Sequence, residues 1–70
     1  MQIETPEIQI MKLMMKARTE QNITQRQLAA KTGLTQADIS RIENGEANPT
    51  LQTLKKIADG LGKKLEVRFK

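Results

Sequence analysis

Asp38, Glu43, Glu46 and Asp59 are the carboxylates best placed in this sequence to serve a hydrolytic or nuclease reaction. A carboxylate that moves protons or grips a phosphate needs companions: a histidine, a cysteine or a glycine loop that offers backbone amides. The chain has no histidine and no cysteine, and no such glycine loop stands beside the four acids. Charged helix surfaces account for all four, so the chain reads as a non-enzyme with no cofactor and no metal. The same two absences remove disulfide staples and the usual zinc-ligand sets as supports for a small fold. What is left is recognition through hydrogen bonds. Gln36, Ala37, Ser40 and Arg41 form a polar face beside Asp38 on a short helical stretch that turns only Ile39 and Ile42 inward.

Seventy residues make one domain, because a chain this short buries roughly 60% of its unfolded surface around one modest core. A charged fraction of 29% against 37% hydrophobic residues lies in the globular range, so the chain should fold. With Phe69 as the single aromatic residue, the core must come from Leu, Ile, Met and Ala. No apolar run approaches the roughly 20 residues that span a bilayer, and the amino terminus carries Glu4 and Glu7. The reading is a soluble cytoplasmic protein without a membrane partner. The net charge of +4 favours an anionic partner. Its distribution is uneven, since residues 1 to 23 and 24 to 46 each balance at zero and the excess lies in Lys55, Lys56, Lys63, Lys64, Arg68 and Lys70.

The elements that must position the polar face announce themselves by caps. Thr5-Pro6-Glu7 is a helix start, and the first helix is expected from Pro6 to about Glu20. Ile8, Met11, Met14, Met15 and Arg18 recur along it at helical spacing as its inward face. Thr24-Gln25-Arg26-Gln27 fits a capping box, which opens a second helix to about Thr32. Gly33 closes that helix, and Thr35 with Asp38 repeats the capping pattern at once. The third helix runs to about Asn44 and ends at Gly45. Asn48-Pro49-Thr50 leads into a fourth, marked by Leu51, Leu54, Ile57, Ala58 and Leu61, that stops near Gly62. Beyond it Leu65, Val67 and Phe69 alternate with charged residues, as a half-buried strand would. A lone strand needs a partner: the same strand of a second copy, the Gln2-Ile3-Glu4 stretch, or another protein's sheet.

A tight glycine turn between two short helices lets one brace the other across the DNA major groove. Ala29 permits close approach, and Leu28 and Ile39 fill the seam. The run Thr24-Gln25-Arg26-Gln27-Leu28-Ala29, the turn at Gly33, and Thr35-Gln36-Ala37-Asp38-Ile39-Ser40-Arg41-Ile42-Glu43-Asn44-Gly45 resemble the Cro, phage-repressor and xenobiotic-response-element family of helix-turn-helix regulators. Asn48-Pro49-Thr50-Leu51 and Ile57-Ala58 extend the likeness over roughly residues 8 to 62. The resemblance implies an all-α, four-helix, lambda-repressor-like DNA-binding domain over residues 1–62 with its helix-turn-helix core at 24–45. Residues 63–70 follow as a short C-terminal β-strand that pairs across a dimer or with a partner.

Carried onto these positions, the family pattern makes Thr35 to Asn44 the recognition helix, on double-stranded DNA with a palindromic operator. Gln36, Ala37, Ser40 and Arg41 become the base-reading set: glutamine can hold adenine, arginine guanine, and the alanine methyl can rest on thymine. Gln25, Asn44 and Thr50 match positions that grip phosphates, and Asp38 reads as a cap. Arg18 and Glu43 match a pair that ties the first helix to the recognition helix. With Leu61-Gly62-Lys63-Lys64 ahead of the strand of Leu65, Val67 and Phe69, the chain is also similar to host-inhibition-of-growth antitoxins. These are dimers that repress their own operons and bind a ribonuclease toxin, which implies a toxin partner in a type II pair. The competing reading is a protein-interaction module whose terminal strand augments a partner's sheet, supported by the neutral charge of residues 24 to 46.

Overall fold

Helix starts in this chain are set by threonine. A computed structural model of the protein describes residues 5–69, and within them four helices follow one another: α1 (Pro6–Glu20), α2 (Gln25–Thr32), α3 (Gln36–Glu43) and α4 (Leu51–Gly60). Each is preceded by a threonine in extended backbone conformation, Thr5, Thr24, Thr35 or Thr50, whose hydroxyl accepts a first-turn amide. An uncapped first turn leaves its amides unpaired, and replacing such a threonine by alanine costs about 1 kcal/mol. The caps matter most for α2 and α3, because eight residues are too few to hold a helix alone in water.

Both short helices carry the full capping box that their sequences predict. The Thr24 hydroxyl accepts from the Gln27 amide at 3.0 Å and the Gln27 side chain accepts from the Thr24 amide at 2.8 Å. Thr35 and Asp38 repeat the exchange at 3.0 and 3.3 Å. Gly33, at φ 76° in the left-handed region, closes α2 by donating to the Ala29 carbonyl at 3.0 Å. Only Leu34 and Thr35 then separate the glycine from α3, so α2 and α3 are joined by a very short turn.

The core is small and aliphatic. Leu28 and Ile39 are fully buried at the α2–α3 seam, and Met14, Ala29, Ile42, Ile57 and Leu61 complete the cluster. Removing a leucine- or isoleucine-sized side chain from water contributes about 1.5–3 kcal/mol, so the two seam residues are a large fraction of what a chain this size can gather. α2 packs on both α3 and α4, and α1 packs on α3. Gln21 fastens the end of α1 to the end of α4 by donating its side-chain amide to the Leu61 carbonyl at 2.7 Å.

Two sequence expectations are corrected. No strand forms among the described residues: positions 63 to 69 are irregular and exposed, with Leu65 39%, Val67 65% and Phe69 100% accessible. The alternation there is real, but a strand is defined by a ladder of backbone hydrogen bonds, and nothing among the described residues supplies a second edge. The proposed pairing with Gln2-Ile3-Glu4 lies outside the described residues. The inward face of α1 is also rotated from the one expected. Met11, Met14 and Arg18 do turn inward, but Ile8 and Met15 are exposed, and Ile10 and Ala17 take their places against the core. Leu51, the first of the residues that mark the fourth helix, does begin α4 and is 64% exposed there.

α2 and α4 come close together at Gly60, where an added Cβ would lie 2.7 Å from the Thr32 methyl and 3.4 Å from a Leu28 methyl. Thr32 cannot swing aside freely, because its hydroxyl donates to the Leu28 and Ala29 carbonyls at 2.9 and 3.2 Å. Gly60→Ala is therefore expected to lower stability by about 1–3 kcal/mol despite the better helix propensity of alanine. Thr32→Ser, which keeps the hydroxyl and deletes the methyl, should recover most of the loss in the double variant. Thermal unfolding of the two variants and wild type checks this, and a Gly60→Ala protein as stable as wild type would refute the close-approach argument.

Candidate nucleic-acid interface

The sequence of α3 divides it lengthwise. Ile39, Ile42 and Glu43 are buried, whereas Gln36, Ala37 and Arg41 are exposed and Ser40 is half-buried. Spacings of one, four and five residues put the last four on a single face. At about 1.5 Å per residue, eight residues give a helix about 12 Å long, comparable with the roughly 12 Å width of the major groove. The outward face ends in Asn44, which caps the helix and donates from Nδ2 to the Ser40 hydroxyl at 3.4 Å.

Glu43, on the opposite face, holds the helix down. Its carboxylate receives Arg18 twice, from Nε to Oε2 and from Nη2 to Oε1, both at 2.9 Å. The remaining Arg18 nitrogen, Nη1, donates to the Ile23 carbonyl at 3.0 Å. The expected pair between α1 and the recognition helix is thus a two-pronged, largely desolvated ion pair, with side-chain exposures of 18% for Arg18 and 2% for Glu43. Gln25, the first residue of α2, adds a third donor to Glu43 from Nε2 at 3.2 Å.

The start of α4 and the outer flank of α3 border a common hollow. A concavity of about 220 Å³ is bordered by Asp38 and Arg41 from α3, by Pro49, and by Thr53 from α4. Thr50 caps α4 through the Thr53 amide at 3.1 Å, and its hydroxyl also donates to the Thr53 hydroxyl at 3.1 Å. The structure therefore sets Gln25 beside the carboxyl end of α3 and the Thr50 turn beside Arg41. It does not bring Leu65, Val67 and Phe69 to this region. Thr53 and the Ile23 carbonyl were missed by sequence reasoning. The Thr50-x-x-Thr53 spacing is a signal for the first, but nothing local marks the second.

Asp38 acts as the cap its spacing predicts, since its carboxylate accepts from the Thr35 amide. Hydrogen bonds from Thr35, with a smaller contribution from the charge of Arg41, hold the carboxyl below its ordinary value of 3.8. This charge is spent on the helix start.

The chain matches the helix-turn-helix model HTH_3 over residues 14–67. It belongs to that family. HTH_3 relatives include an uncharacterised HTH-type transcriptional regulator from Haemophilus influenzae, 38% identical over 60 residues, a match spanning 86% of this chain and 61% of that protein. A second, the regulator y4dL of Sinorhizobium fredii, is 47% identical over 45 residues, or 64% of this chain and 23% of its own length. The chain thus spans less than two thirds of these relatives. Among solved structures, the wild-type restriction-modification controller protein C.Esp1396I superposes with a TM-score of 0.82 at 32% identity over 87% of this chain and 80% of that one. HipB, in a HipA–HipB–O2–O3 complex, gives 0.80 at 33% identity over 99% of this chain and 97% of its own. These neighbours share the all-α arrangement that holds α3 outward in this HTH_3 chain.

The cap on α3 makes a pH-dependent prediction. Because the folded-state pKa of Asp38 is depressed, its stabilisation is complete above the ordinary value of 3.8 and is lost as pH falls through the lower folded value. Asp38→Asn should remove that portion of the acid sensitivity, so that wild type and variant converge in stability as the pH falls from about 5 towards 2. Urea unfolding across that range measures it, and parallel curves for the two proteins would show that the cap carries no ionised contribution.

Proposed function

We propose that the chain is a sequence-specific double-stranded-DNA-binding transcriptional regulator that acts as a dimeric repressor on a palindromic operator. The observation that carries this reading is the division of α3. Gln36, Ala37 and Arg41 face solvent while Ile39, Ile42 and Glu43 anchor the helix from behind. Glutamine and arginine are the side chains whose paired donors and acceptors match adenine and guanine edges, and an alanine methyl suits thymine. Ser40 lies within the same face. Gln25, Asn44 and Thr50 border it at helix ends, where free amides and uncharged polar groups suit phosphate oxygens.

One α3 can read one half-site, so the operator reading calls for a second copy whose α3 lies about 34 Å away along the duplex. The apolar surface that fits such a copy lies between α1 and α4. A groove of about 410 Å³ runs between Ile10, Leu13 and Ala17 on one side and Leu54, Ala58 and Leu65 on the other. Leu13 is 66% exposed there, and beyond Leu65 the tail leaves Val67 and Phe69 exposed as well. We assign Leu65, Val67 and Phe69, with this groove, to the contact between two copies. HipB, which resembles nearly the whole chain, occurs in a complex with HipA. That likeness supports a toxin-type protein partner, with the chain as the antitoxin of the pair.

Selection from random duplexes followed by titration at several salt concentrations tests the DNA reading. Wild type should prefer the selected palindrome over its scrambled version by orders of magnitude. Arg41→Ala should lose about 1–3 kcal/mol, roughly 5- to 150-fold, and relax the preference at one position of each half-site. Equal affinity for palindrome and scramble would overturn the proposal. For the dimer, Val67→Asp should shift sedimentation from two copies to one and weaken operator binding, whereas a dimer indifferent to that change would place the contact elsewhere.

A further inference from the structure

A two-pronged arginine–carboxylate pair is already oriented by its own geometry, so the third donor on Glu43 is not needed to hold the pair together. That donor is Gln25 Nε2, which belongs to the first residue of α2. At that position the backbone amide is among those a helix leaves unpaired. The Gln25 side chain could turn either edge of its amide inward, since one edge accepts and the other donates. An ionised carboxylate accepts only, and Glu43 is buried, so it admits the nitrogen and rejects the oxygen. A phosphate is also an acceptor-only group. Nε2 carries two hydrogens, and Glu43 uses one.

We propose that Glu43 is a positioning residue for DNA-backbone binding. By engaging one N–H of Gln25 Nε2, it leaves the other to act with the Gln25 backbone N–H as a two-donor clamp for one phosphate at the front of α2. The inference rests on the DNA-binding reading above and goes beyond it by making a buried side chain that touches no DNA a determinant of affinity. Because Glu43 is also the last residue of α3, one carboxylate sets the clamp and the reading helix in a fixed relation. A neutral amide in place of Glu43 would accept either edge of Gln25 and leave the clamp unoriented.

A double-mutant cycle on the selected operator duplex tests this, with unfolding curves recorded for every variant. Gln25→Ala should weaken binding about tenfold in the wild-type background and less than about twofold in the Glu43→Gln background, which is the non-additivity expected of linked groups. Additive losses, with the palindrome still preferred over its scramble, would overturn this inference and leave the DNA reading standing. Loss of that preference in wild type would overturn both. Should Glu43→Gln fail to fold, the side-chain amide signals of Gln25 in wild type decide. Slow solvent exchange in the free protein, with a shift on operator addition, supports the clamp, and fast exchange or indifference to DNA refutes it.

Discussion

A carboxylate out of reach of water must find its partners within the protein or not be charged at all. Glu43 meets that condition with three N–H donors drawn from two other helices, and the arrangement of the molecule follows from it. Arg18 reaches it from α1 and Gln25 from the start of α2, while Arg18 also grips the Ile23 carbonyl in the connection between them. The end of α3 is thereby located against two helices by directional bonds, where hydrophobic contact alone would permit sliding. Non-directional burial at Leu28 and Ile39 supplies cohesion, and the buried pair supplies register.

Register is what an eight-residue helix lacks when left to itself. α3 has little propensity to form in isolation. It exists because one end is capped by Thr35 and Asp38, the other is tied through Glu43, and Ile39 and Ile42 are driven into the seam. Spending one whole face and both ends on attachment leaves the remaining face free of structural duty. Gln36, Ala37 and Arg41 can therefore vary with little cost to the fold.

The features legible in the sequence are those whose physics is local. All four helix starts, both capping boxes and the closing glycine of α2 depend on residues within three or four positions of each other, and each was placed correctly from spacing alone. The Arg18–Glu43 pair joins residues 25 positions apart and came only through likeness to a family. The third bond, from Gln25, had no signal at all, since a glutamine at a helix start has several uses. The face of α1 was misplaced because that helix is apolar around much of its circumference. Ile10, Leu13 and Ala17 form a stripe as good as Ile8, Met11 and Met15, and periodicity cannot choose between them. The tail failed for a different reason. Alternation in Leu65, Val67 and Phe69 records what the segment is suited to, while a strand also requires an edge that the described residues do not supply.

The charge balance shows how a sum over sequence can mislead about a surface. Residues 24 to 46 carry Arg26, Lys31 and Arg41 against Asp38, Glu43 and Glu46, a neutral total that would argue against an anionic partner. Glu43, however, is buried against the guanidinium of Arg18, a residue outside that segment. Asp38 is engaged by the Thr35 cap, its charge offset by helix-start amides. Of the three acids, Glu43 is thus neutralised by a charge from outside the segment, and Asp38 is turned onto the helix start. Arg26, Lys31 and Arg41 all remain exposed. The field that this part of the molecule presents to an approaching polyanion is accordingly more positive than its composition, and the feature that most favoured a scaffold without nucleic acid disappears once the buried partners are assigned.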